Sequence, residues 1–141
     1  MSKDNSGPER LAQGQIIFAH EKGGETRRVE LFSLRITKVG VSWLNWQLDG
    51  SNNDLDEFRI SFIDESPVVG LYDLSGDSRV WVSFAHDSPD GGELIRLENG
   101  HLKLDEVSTE HPYKFRGTFE GNATESFSLK NGQFMLQEKP S

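Results

Sequence analysis

The chain contains no cysteine. Disulfides, thiolate zinc sites, iron–sulfur clusters and cysteine nucleophiles are therefore excluded. The same absence suits a reducing compartment. Met1 is followed by the polar run Ser-Lys-Asp-Asn-Ser-Gly-Pro-Glu-Arg, with no apolar h-region, so the expectation is a cytoplasmic protein without a secretory signal. No apolar stretch nears the roughly 20 residues that a membrane-spanning helix needs, and no membrane partner is expected. Also missing are a Gly-x-Ser-x-Gly elbow, a Gly-x-x-x-x-Gly-Lys-Ser/Thr loop and a Gly-x-Gly-x-x-Gly turn. Histidine is sparse: His20, His86, His101 and His111, none paired with another at a metal-ligand spacing. No cofactor, metal site or catalytic residue set is expected, and the chain does not read as an enzyme.

Positive charge is also in deficit, with 15 basic against 23 acidic side chains and a net charge of -8. Residues 1–40 carry 7 basic and 5 acidic groups, and residues 41–141 carry 8 and 18. Such a surface repels a phosphate backbone, so no nucleic-acid partner is expected. It suits solubility, or a basic protein partner.

What the sequence does have is alternation. Phe115, Gly117 and Phe119 alternate with Arg116, Thr118 and Glu120, and Phe127 and Leu129 alternate with Ser126, Ser128 and Lys130. Period two means one buried face and one wet face. Ile16 with Phe18, Val29 with Leu31, Leu44 with Trp46 and Leu48, Phe58 with Ile60 and Phe62, and Val80 with Val82 and Phe84 repeat the pattern. Leu34 and Ile36 have the opposite parity to Val29 and Leu31, which predicts a bulge or bend at Phe32-Ser33. Asn131-Gly132 and Asn99-Gly100 read as hairpin turns, because type I′ turns need positive φ. Residues 108–114, with Pro112, read as a crossing loop. No stretch reads as a helix. The 141 residues suit one domain. The expected organisation is a disordered or loosely docked arm over 1–13 and a single all-β domain over 14–138. Turn signals at roughly 8–12-residue spacing point to an antiparallel β-sandwich, jelly-roll-like and of about ten strands, with a partly closed β-barrel as the alternative.

Two groups of residues are candidates for binding. Trp43 and Trp46 differ in parity, so one is core and the other is free to anchor a partner or stack on a sugar. Val80 and Val82 claim the inner face of their strand, which leaves Trp81 outward. Tyr72 joins this aromatic group. The second group lies in the acidic loop 49–57, where Asp54, Asp56 and Glu57 could meet a basic partner. Read as an EF-hand, that loop has Asp54 where Gly is needed and Ile60 where Glu is needed. A calcium site of another geometry, or a plain solvated hairpin tip, are its other readings. His86 with Asp87 is a poor acid–base pair, since neighbours on a strand point apart. A hydrolase or isomerase would need His86 or His101 to meet a carboxylate in a pocket.

The segments Tyr-Lys-Phe-Arg-Gly-Thr-Phe-Glu (113–120) and Phe-Ser-Leu-Lys-Asn-Gly-Gln-Phe (127–134) resemble the end of small, uncharacterised bacterial β-sandwich domains. The likeness covers residues 113–136. It implies a bacterial β-sandwich and brings no activity or site residue with it. The expected function is a non-catalytic interaction domain that holds a protein partner, or a second copy as a homodimer, with an acidic face and exposed aromatics. The alternative is a β-module for carbohydrate or a small apolar molecule bound in a groove or cavity.

Overall fold

The computed structural model describes residues 9–75, 79–87 and 93–140. Residues 1–8 of the anticipated arm lie outside them, as do Gly76-Asp77 and Pro89-Asp90-Gly91, two runs whose composition is that of turns. All regular structure among the described residues is strand: β1 (Glu9–Lys22), β2 (Glu25–Leu31), β3 (Ser33–Val41), β4 (Leu44–Ser51), β5 (Asp56–Phe62), β6 (Gly70–Asp73), β7 (Val80–His86), β8 (Ile95–Arg96), β9 (Asn99–Ser108), β10 (Lys114–Thr124) and β11 (Phe127–Glu138). β1 opens at Glu9, ahead of the domain boundary placed at residue 14. Ala12, inside the anticipated arm, pairs with Leu34 and with Glu138 and is buried.

The strands form one antiparallel sheet in the order β6-β9-β10-β11-β1-β3-β4-β5-β7-β8, with β2 also against β1, curled into a half-barrel. The first and last strands pair along most of their length, which joins the two ends of the chain inside the sheet. β2 and β3 are two halves of one strand. Both pair with β1, and Phe32 interrupts them at the anticipated bend. Opposite the interruption, Gly14 has φ 131°, a conformation that side chains strongly disfavour. There the hairpin folds from one wall of the half-barrel into the next.

Three turn expectations are corrected. Asn131-Gly132 is not a hairpin turn, for β11 runs straight through it. Ile17 pairs with Gln133 and Ala19 with Lys130, so Asn131 and Gly132 together face Phe18 alone. The positive φ of Asn131, 54°, serves a bulge rather than a turn. The β10–β11 turn falls at Glu125-Ser126. Asn99-Gly100 likewise sits inside β9, whose partners are β10 and β6, while β8 pairs with β7. Residues 109–113 join neighbours rather than crossing the sheet, since Ser108 pairs with Lys114.

The interior is filled with aromatic rings. Phe18 lies 5.3 Å from Phe58 and 5.0 Å from Phe84 between ring centres, and Phe119 lies 5.0 Å from Phe58. Trp46 packs edge-on to Tyr113 at 4.8 Å and against Phe115 at 5.4 Å. These rings join opposite walls of the half-barrel and occupy the space where a ligand between the walls would sit.

Candidate functional site

Four inward rows share a common order. On β1 the row reads Ile16, Phe18, His20, and on β2 Leu31, Val29, Arg27. On β5 it reads Ile60, Phe58, Asp56, and on β7 Val82, Phe84, His86. The strand registers match these rows residue for residue. Ile16 faces Leu31, Phe18 faces Val29 and His20 faces Arg27, while Ile60 faces Val82, Phe58 faces Phe84 and Asp56 faces His86. Two apolar layers are thus followed by a layer of titratable side chains that closes one end of the interior.

Asp56 is the centre of that layer, with its carboxylate fully buried. Arg27 donates to both of its oxygens, Nη2 to Oδ1 at 2.7 Å and Nη1 to Oδ2 at 3.1 Å. Asn52 Nδ2 donates to Oδ2 at 2.9 Å, and His86 Nδ1 lies 2.7 Å from Oδ1. Burial pushes the Asp56 carboxyl up, but the bonds from Arg27, Asn52 and His86 outweigh it and hold the group below the usual carboxylate range. The bond to Asp56 raises the Arg27 guanidinium in turn. An anionic Asp56 fixes the proton of His86 on Nδ1. Asn52 ties the loop 52–55 into the layer. It also donates to the Glu30 carbonyl on β2 and accepts from the amides of Asp54 and Asp56.

His20 completes the layer differently. It is buried between Phe84 and Phe127, with ring centres at 4.8 and 4.7 Å, and its Nε2 has no hydrogen-bond partner among the described residues. Burial, then the nearby charge of Arg27, Lys22 and His86, lowers its pKa from 6.5 to about 4, against a smaller opposing pull from Asp56.

The residues anticipated as binding groups are scattered. Trp46 is the core tryptophan, its indole N–H donating to the Glu65 carbonyl at 2.8 Å. Trp43 is 65% exposed, in the β3–β4 turn rather than on a strand face. Trp81 does point out of β7, but Arg96 of β8 lies over its ring at 5.0 Å and takes one stacking face. Tyr72 turns towards Phe62, and its hydroxyl donates to the Val68 carbonyl and accepts from the Val68 amide. Of the acidic loop, Asp54 is exposed, Glu57 is on the outer face of β5, and Asp56 is the buried centre. Asp49 is held by Arg59 at 2.7 Å on the outer face of β4. Asp49 and Asp56 therefore serve arginines on opposite faces of the sheet. Among the described residues no group of three or more His, Asp or Glu is arranged to hold a metal ion.

His86 meets a carboxylate, but that of Asp56 rather than Asp87, and among the described residues no hydroxyl bonds to it. His101 lies 3.9 Å from Glu120 beside a shallow polar depression of about 450 Å³ lined also by Glu21, Asn122 and Lys130. The sequence marks His20, Arg27, Asp56 and His86 one by one but does not join them into one layer. The signal was present, because each lies two residues beyond an inward apolar residue. No protein-family profile matches the chain, and no curated protein or solved structure is similar to it at a significant level.

Proposed function

We propose that the chain is a non-catalytic interaction domain that holds a protein partner at the end of the half-barrel away from the polar layer. The observation that supports it is the exposure of large apolar side chains there: Trp43 at 65%, Val68 at 67%, Val69 at 58% and Leu71 at 72%. These residues share that end because the loop 63–69 folds over the start of β4. Asn45 Nδ2 donates to the Ile63 carbonyl at 2.7 Å, and the Trp46 indole donates to the Glu65 carbonyl. Trp43 stands just before that strand. Large exposed apolar side chains at one end of a domain are characteristic of an interface, and tryptophan is enriched among interface anchors. The acidic surplus would steer a basic partner towards the domain.

The test compares the wild-type chain with a Trp43→Ala, Val69→Ser variant, each carrying a photo-cross-linker at Leu71. Losing a tryptophan anchor costs at least about 2 kcal/mol, or roughly 30-fold in affinity. The cross-linked protein should therefore vanish from the variant. Sedimentation at high concentration separates a second copy from a foreign partner. Equal cross-linking in both chains sinks the reading.

A further inference from the structure

We infer that the polar layer is an acid-operated latch: when His20 takes up a proton, the β1–β2 hairpin end leaves the interior while the apolar layers behind it stay closed. Protonated His20 would carry its charge into a largely apolar enclosure. Its Nε2 is enclosed without an acceptor among the described residues, and Phe84 of β7 and Phe127 of β11 cover the ring. The charged and titratable groups that bear on it are Lys22 on its own strand, Arg27 on β2, His86 on β7 and Asp56 on β5. Asp56 is the sole anion in that set, and both of its oxygens are already engaged by Arg27, Asn52 and His86.

The geometry offers an exit. His20 is the last inward residue of β1 before the turn at Gly23-Gly24. Moving the hairpin end to water requires the last rungs of the β1–β11 ladder, Ala19 with Lys130 to Lys22 with Phe127, and the bond from the Gly23 amide to the Ser126 carbonyl to part, while the β1–β2 rungs move as one. The layers built on Phe18, Val29, Phe58 and Phe84 lie deeper and are joined by ring contacts across the walls. The opened state uncovers Phe84 and Phe127, which are buried when the latch is shut. Acidity would thus expose an apolar surface at the end opposite Trp43.

Amide hydrogen exchange on the full chain, corrected for the intrinsic pH dependence, tests this. With a pKa of about 4 in the closed form and an ordinary value once open, the open population should rise about 20-fold between pH 7 and pH 5. Protection over residues 20–22 and 127–129 should fall by that factor, and at every pH it should report a smaller opening free energy than protection at Ile36 and Leu48. His20→Phe should hold protection constant over the same range. Imidazole NMR of the wild-type chain supplies a readout independent of any variant, and His20 should stay neutral at pH 5. Opening free energies at the hairpin end equal to those at Ile36 and Leu48 would show global unfolding and overturn the latch. So would unchanged protection, His20 charged at pH 5, or an undiminished pH effect in His20→Phe.

Discussion

Replacing Asp56 with Asn tests whether the polar layer holds the half-barrel together. The side chain keeps its shape but loses its charge and one acceptor oxygen. Arg27 then has no counter-ion, and the new amide group faces donors from Arg27 or from Asn52. Breaking a fully buried ion pair costs about 3–5 kcal/mol, because a charge is left uncompensated. Here the cost is smaller, since the Arg27 and His86 side chains are 38% and 41% exposed and can turn to water. The expected loss is about 2–4 kcal/mol at pH 7. For a domain of this size that is a fall in Tm of roughly 5–12 °C. Urea unfolding followed by Trp46 emission is the assay, because that ring moves from a closed core to solvent. Arg27→Met alone should cost at least as much, because it leaves the fully buried Asp56 carboxylate without its arginine. The Asp56→Asn, Arg27→Met double variant should recover part of the sum, with a coupling of about 1–3 kcal/mol. An Asp56→Asn chain within about 0.5 kcal/mol of wild type would refute the reasoning and make the layer an ornament of the surface.

Three further outcomes follow from the same geometry. The folded-state pKa of His20 is depressed, so the unfolded chain binds the extra proton first; stability is full above pH 6.5 and falls towards pH 4, by about 3 kcal/mol in all. Urea midpoints taken every half unit of pH should show that slope, and His20→Phe should flatten it. Gly117→Ala should cost more than an ordinary overpacking penalty of about 1–3 kcal/mol, because a Cβ there collides with the Lys103 carbonyl oxygen and sits 2.8 Å from the Phe134 ring; a thermal melt unchanged from wild type would contradict that close approach of β9 and β10. Acrylamide should quench Trp43 strongly, Trp81 weakly and Trp46 hardly at all, and single-tryptophan variants that quench alike would contradict the exposures described.

The all-β class and most strand interiors were legible because they rest on period two. The apolar rows of β1, β2, β5 and β7 were all identified from alternation alone. The turns were less legible. Asn-Gly signals a backbone that tolerates positive φ, and a bulge uses that tolerance as readily as a hairpin does. Only the partner strand decides between them: β11 faces β1 on one side and β10 on the other, and both stay paired past Asn131. The polar layer was hidden for a related reason. A charged residue at the end of an apolar row looks like the point where the strand leaves the core. His20, Arg27, Asp56 and His86 come from four strands spread over residues 20–86 and reveal themselves as a layer only once the registers are known. Trp43 was half legible, since parity with Trp46 required one of the two to leave the core, but its turn was read as strand.

The layer also bears on how the sheet finds its register. A one-residue slip of a strand moves its whole inward row to the outer face. For β5 a slip brings Glu57 and Arg59 inward and carries Asp56 out, away from Arg27 and Asn52. For β7 it exchanges Val80, Val82 and Phe84 for Trp81 and Ser83. The apolar rows alone penalise these errors, but a two-residue slip keeps the alternation intact. It would set Phe58 opposite His86 or Asp56 opposite Phe84, with apolar faces still matched along most of the strand. What separates the native register from that alternative is the bonding of one buried carboxylate by four donors from β2, the loop 52–55 and β7. A buried ion pair is weak evidence for stability in itself, and its best-attested role is to select one arrangement among near-equals. An Asp56→Leu, Arg27→Met chain separates the two roles. If the layer chiefly selects register, that chain keeps a melting temperature close to wild type but shows more than one amide resonance for Phe58, Phe84 and their neighbours. A single set of resonances would instead place register selection in the Phe18, Phe58, Phe84 and Phe119 ring contacts, where shape rather than charge decides it.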